Sequence, residues 1–200
     1  MTTRYYSRIR AIQLLLPLLN AAPSPRVVSV LAGGLEAAIN EKDLSLSGPG
    51  AFSVGASNNH TATMMTLALE HLARENPRVS FVHTFPGIVA TPLLGKTSSG
   101  FLGVILRTVV MPLLRLFATS VAVAGANGLF YATSARYSVD EGLVPRAEGV
   151  EAAKKSAGGV FLVDAKGESA DNEQVLGSLR KKGVNNLVWE HTMEVFAASR

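Results

Sequence analysis

Cysteine is absent from the chain of 200 residues, which excludes disulfides and thiolate metal sites together. Charge is sparse as well. Asp, Glu, Lys and Arg make up 17% of the residues against 48% hydrophobic ones, a balance more apolar than that of an average soluble domain. It excludes a disordered chain and predicts a buried α/β interior, with apolar surface left over that calls for a partner. No massed basic stripe is present either. The formal net charge of +4 is scattered, and its tightest groups are Arg4, Arg8 and Arg10 near the start and Arg180, Lys181 and Lys182 near the end. A nucleic-acid footprint needs such residues in a stripe with interleaved aromatics, so these read as solvated surface.

Signals for leaving the cytoplasm are also missing. The apolar run Ala11–Leu19 is interrupted by Gln13 and Pro17 and has no small-residue cleavage site, so it is not a signal peptide. Residues 100–118 (GFLGVILRTVVMPLLRLFA) approach the length of a bilayer span. Arg107 and Arg115 inside the run would be costly in a bilayer, and Pro112 breaks it. The segment is expected to be a helical cover over a pocket, and the protein to be cytoplasmic with no transmembrane span.

What remains is a regular alternation. Tyr5, Ile9, Ile12, Leu16 and Leu19 fall at helical spacing, so residues 3–20 are expected to form an amphipathic helix. Arg26–Leu31 is a β-branched run suited to a parallel strand. Residues 32–56 have no sustained period and read as a long loop, and loops of that length are usually functional. Ser57, Asn58 and Asn59 are cap residues for a helix running to Glu75, before Asn76–Pro77. Strands are expected near 79–85 and 159–163, a helix near 120–134, a turn at Asp164–Gly167, and terminal helices near 171–183 and 185–198. Strands alternating with helices predict a parallel sheet with right-handed crossovers. Three strands make half of a doubly wound fold. The expected class is α/β, a partial Rossmann-like doubly wound parallel sheet in a single domain over residues 1–200.

The residues then resemble a known family. RVVSVLAGG, a long loop, and TLALEHLARENPRVSFVHTFPGIVATPL are similar to the back half of short-chain dehydrogenases/reductases. In that family a helix carries a Leu-Ala-x-Glu stretch, here Leu67, Ala68, Leu69 and Glu70. The next strand ends in Pro-Gly with a Thr four residues beyond the Gly, here Pro86, Gly87 and Thr91. YYSRIRAIQLLLPLL, GLFYATSARY and VWEHTMEVF resemble the fungal branch, whose members accompany secondary-metabolite pathways. The resemblance covers nearly the whole chain and implies an NAD(P)-dependent oxidoreductase. It also implies cofactor contacts from Pro86, Gly87, Val89 and Thr91, and association with a like or unlike subunit through helices 3–20 and 57–75.

Measured against that family, two features are missing. Pyrophosphate binding needs a glycine-rich turn leading from a strand into a helix. Ala32-Gly33-Gly34 follows a strand but enters a loop. Hydride transfer in the family uses a Tyr with a Lys four residues later, on one helical face. The residues four beyond Tyr5, Tyr6, Tyr131 and Tyr137 are Ile9, Arg10, Ala135 and Glu141. Counted back from Leu67, the expected pair falls on Ser53 and Ser57, and the family's catalytic Ser falls near Ala32. No catalytic residue is therefore assigned, and NAD(P) is expected to bind no better than weakly. The expected protein is a short-chain dehydrogenase/reductase-like chain, truncated or catalytically degenerate. The alternatives are a non-catalytic partner of a full-length dehydrogenase and a binder or converter of a small apolar metabolite.

Other constellations carry less. Tyr6 and Arg10 share a helical face, on a helix expected to pack rather than to catalyse. Ser53, Ser57 and His60 could form a hydrolase cluster, but no spaced carboxylate orients the His and Gly-x-Ser-x-Gly is absent. His83 reads as a satisfied core histidine and His191 as packing, and the histidines share no metal-ligand spacing.

Overall fold

The computed structural model describes residues 2–89, 108, 118–140 and 142–199. A π-helical turn, Thr2–Tyr6, leads into α1, Ser7–Ala21. The expected stripe points inward: Tyr5, Ile9 and Ile12 are buried and Leu16 and Leu19 partly so. The next strip of the same helix, Leu14, Leu15 and Leu18, faces outward.

Three parallel strands form the sheet in the order β1 (Arg26–Val30), β2 (Ser80–Thr84), β3 (Phe161–Val163). Their register aligns Ser29, His83 and Leu162 in one row, and Val28, Val82 and Phe161 in the next. Successive residues face opposite sides, and the two rows accordingly belong to two cores. Phe81 and Leu162 join the larger one, with Met64, Met65, Leu67 and Leu176; Val82, Phe161 and Val163 join Tyr131 and Tyr137 on the other side. β3 starts later than expected because Gly159 adopts a left-handed turn (φ +89°) and its N–H returns to Ser156 O.

Between β1 and β2 runs α2, Val54–Glu75. Its cap is Ser53, whose hydroxyl accepts from Ala56 N–H at 3.0 Å, and not Ser57, Asn58 or Asn59 as expected. The chain leaves the Gly48–Ala51 turn extended at Ser53, so the first orphan amides fall there. α3, Val121–Thr133, is capped by Ser120, and two terminal helices follow, α4 (Glu173–Lys181) and α5 (Val184–Ala198). α3 buries Tyr131 and leaves Leu129 and Phe130 exposed. Arg26 reaches its C-terminal end and donates to the carbonyls of Tyr131 and Ser134, both at 2.8 Å.

α5 lies along α2. Trp189 stacks on His71 with ring centroids 4.0 Å apart, Tyr6 hydroxyl meets His191 Nε2 at 2.7 Å, and Thr192 hydroxyl, itself donating to Val188 O, accepts from Tyr5. As a result every residue of α2 from His60 to Glu70 is buried. This corrects the expectation that helix 57–75 offers a face to another subunit. The chain's own C-terminal helix occupies that face, and α2 is exposed only at its two ends. Among the described residues no helix is long and apolar enough to cross a membrane.

One ion pair ties α2 to the C-terminal region. Arg180 of α4 donates from Nε to Glu70 Oε2 at 2.9 Å and from Nη2 to Glu70 Oε1 at 2.6 Å, while Nη1 holds Glu173 at 2.5 Å. Ser156 hydroxyl also donates to Glu70, at 3.1 Å. Gly158 lies against the same carboxyl: a Cβ there would sit 2.0 Å from its carbon. Arg180→Met leaves a buried carboxylate without its cation and should cost about 3 kcal/mol or more. Gly158→Ala should destabilise independently by overpacking, about 1–3 kcal/mol. Urea denaturation followed by circular dichroism measures both, and an unchanged midpoint for Arg180→Met would contradict the role given to the pair.

Candidate functional site

In open α/β sheets ligands bind at the carboxyl ends of the strands. Here that edge is built from the Ala32–Gly34 turn after β1, the Pro86–Val89 segment after β2 and the Asp164–Gly167 turn after β3.

The turn after β1 is knitted to β2 and α2 by a buried polar cluster. Ala32 N–H donates to His83 Nε2 at 3.2 Å. That places the histidine proton on Nδ1, facing Thr66 hydroxyl at 2.8 Å. Thr66 passes its own proton on to Glu36 Oε1 at 2.6 Å, and Gly34 N–H donates to the same oxygen at 3.2 Å. Glu36, Thr66 and His83 are almost wholly buried. Burial, and secondarily the Arg8 charge, push the His83 pKa down to about 3, so the imidazole is neutral. Burial raises the Glu36 pKa above the ordinary carboxylate range. His83 is thus the satisfied core histidine expected of it.

These residues do not fit a dinucleotide's pyrophosphate. A phosphate cradle needs free backbone N–H groups. The amides of Ala32 and Gly34 are taken by His83 and Glu36, and Leu35 N–H returns to Ala32 O at 3.0 Å. Gly33 is small for a different reason: a Cβ there would lie 2.0 Å from His83 O, so the turn packs directly on β2. The buried Glu36 carboxyl is the wrong sign of charge to place beside a phosphate.

Pro86, Gly87 and Val89 are partly buried along the edge. Gly87 turns in the left-handed region (φ +73°), and a Cβ would come 2.9 Å from Ala165 Cβ. Ile88 O accepts Thr119 N–H at 2.8 Å and Val89 bridges Thr119, so this segment is stitched to the start of α3. Thr91 lies outside the described residues, as does the expected cover at 100–118 apart from residues 108 and 118. A surface hollow of about 660 Å³, lined by residues including Ser138, Asp140, Arg146 and Val150, involves none of Pro86, Gly87 and Val89.

The other sequence candidates are not brought together. Ser53 is spent on Ala56 N–H, and His60 Nε2 accepts Asn40 N–H at 2.9 Å. Tyr6 faces His191, whereas Arg10 lies over the Phe196 ring, 5.2 Å from its centroid. No group of His, Asp and Glu among the described residues could hold a metal. The residues that sequence reasoning missed are Glu36 and Thr66. The available signal was His60, Thr63 and Thr66, polar at every third position along one strip of α2.

Thr66→Val should cost about 1–3 kcal/mol, because it strands the buried Glu36 and His83 groups at once. Thr66→Ser keeps the hydroxyl and should remain much closer to the parent. Paired urea titrations separate the two, and equal losses would show that the methyl group, not the hydrogen bonds, matters.

No family model and no solved structure matches the chain. Curated relatives do. An NmrA-like family domain-containing oxidoreductase of Aspergillus sp. is 49% identical over 199 residues, 100% of this chain and 57% of the relative. An oxidoreductase of Emericella nidulans is 37% identical over 196 residues, 94% of this chain and 58% of the relative. A short-chain dehydrogenase/reductase of Stachybotrys chartarum is 30% identical over 201 residues, 96% and 56% respectively. The chain spans a little over half the length of these relatives.

Proposed function

We propose that this chain, whose curated relatives are fungal oxidoreductases including a short-chain dehydrogenase/reductase, is one domain of 200 residues corresponding to the C-terminal, substrate-side part of an NAD(P)-dependent oxidoreductase of secondary metabolism. On its own the chain does not catalyse hydride transfer. The observation that carries this reading is the turn after β1: the amides of Ala32 and Gly34 are taken by His83 and Glu36, and a buried carboxyl stands beside it. The family's Tyr–Lys pair has no counterpart, because Ser53 serves as a helix cap and Ser57 is buried in α2. Pro86, Gly87, Val89 and Thr91 are the residues proposed to line the ligand end of the edge.

A second reading is association with a full-length dehydrogenase or a second copy. What supports it is β1. Among the described residues it is an edge strand of the sheet, with Val30 exposed, and α1, which precedes it in sequence, leaves Leu14, Leu15 and Leu18 uncovered. Unpaired strand edges invite pairing with another chain.

Calorimetry with NADPH and NADH on the 200-residue chain should show no binding tighter than about 1 mM, a loss of roughly 4 kcal/mol against a micromolar site. Reduction of test ketones should be undetectable, since a positioned general acid alone contributes about 10²–10⁴ in rate. Micromolar NADPH affinity would overturn the reading of the β1 turn. Sedimentation of the same sample should show an oligomer, and a clean monomer would remove the second reading.

A further inference from the structure

We propose that the segment following β1 is held closed by a proton-sensitive latch, in which unprotonated His60 of α2 grips the backbone of Asn40 and protonation of the imidazole releases it. The segment is pinned along one side of α2 by residues three apart. Thr66 holds Glu36 at 2.6 Å. Thr63 hydroxyl accepts Ala37 N–H at 2.9 Å and donates to Ala37 O at 2.7 Å, closing a two-way clasp. His60 then takes Asn40 N–H on Nε2 at 2.9 Å. Threonine does not titrate. The histidine bond is different in kind, because Nε2 can accept only while it lacks a proton. Once protonated, two N–H groups face each other, and the segment from Ala38 onward must move away from α2.

The groups around His60 set the direction. Burial lowers its pKa below the ordinary histidine value, while Leu44 O and the Asp43 carboxylate, both on the latched segment, oppose that shift. Across on α5 lies His191, bonded to Tyr6 of the N-terminal turn, and both also feel Asp43. Asp43 is held ionised by the amides of Gly48 and Ser47. Glu36 does not add to the effect, since a protonated carboxyl can still accept from Thr66 and Gly34. A lowered folded-state pKa means the latch is intact above the ordinary histidine range and fails as the pH falls through the lowered value. Between the ordinary histidine value and that lowered value each pH unit weakens it by up to about tenfold.

Hydrogen exchange by mass spectrometry on the full chain at pH 7.5 and 5.0, corrected for intrinsic rates, tests this. Exchange within 38–44 should rise at pH 5.0 while amides of 61–70 stay protected. His60→Gln, whose amide oxygen accepts without titrating, should make 38–44 insensitive to pH, and His60→Leu should leave it open at both. A parent chain that is equally protected at both pH values would overturn the latch. So would a His60→Gln variant that opens like the parent, or opening that extends through α2.

Discussion

A stretch of helix buried on every side cannot leave a polar side chain to water, and residues 60–70 of α2 are such a stretch, with polar residues at 60, 61, 63, 66 and 70. Each must find a partner inside the protein. Thr61 turns back to Ser57 O within the helix. The others recruit separate parts of the chain: His60 and Thr63 the segment after β1, Thr66 both Glu36 and His83 of β2, and Glu70 the Ser156 turn and Arg180 of α4. The apolar residues of α2 supply most of the burial energy, but they are not directional. The polar ones decide which segment lies where.

The same demand accounts for what happens at the candidate site. A turn with its amides free could hold a phosphate. Here the amides of Ala32 and Gly34 meet internal acceptors, and Gly33 packs closely on β2. Polar satisfaction and ligand binding compete for the same N–H groups, and in this chain satisfaction has them.

Much of the architecture was legible because it depends on local periodicity. The parallel pairing and the helices near 3–20, 120–134 and 185–198 follow from runs such as RVVSV, their alternation with helices, and the i, i+3, i+4 spacing of Ile9 and Ile12. The turn at Asp164 was readable too, since Asp164 accepts Lys166 and Glu168 amides and Gly167 takes a positive φ. Placement of side chains across long separations was not. Nothing near Glu36 in sequence announces Thr66, and nothing near Glu70 announces Arg180, 110 positions away. The Ser57 cap was misplaced because several cap-forming residues lie within one turn, and only the course of the chain before Ser53 chooses among them.

The contact of Trp189 with His71 has an optical consequence. Trp189 is the single tryptophan of the chain, and it lies nearly flat on the imidazole, at an interplanar angle of 20°. Its emission therefore comes from one environment, the seam between the C-terminal helix and α2. The seam carries its own lamp: undocking of that helix changes the spectrum even where the sheet beneath stays whole.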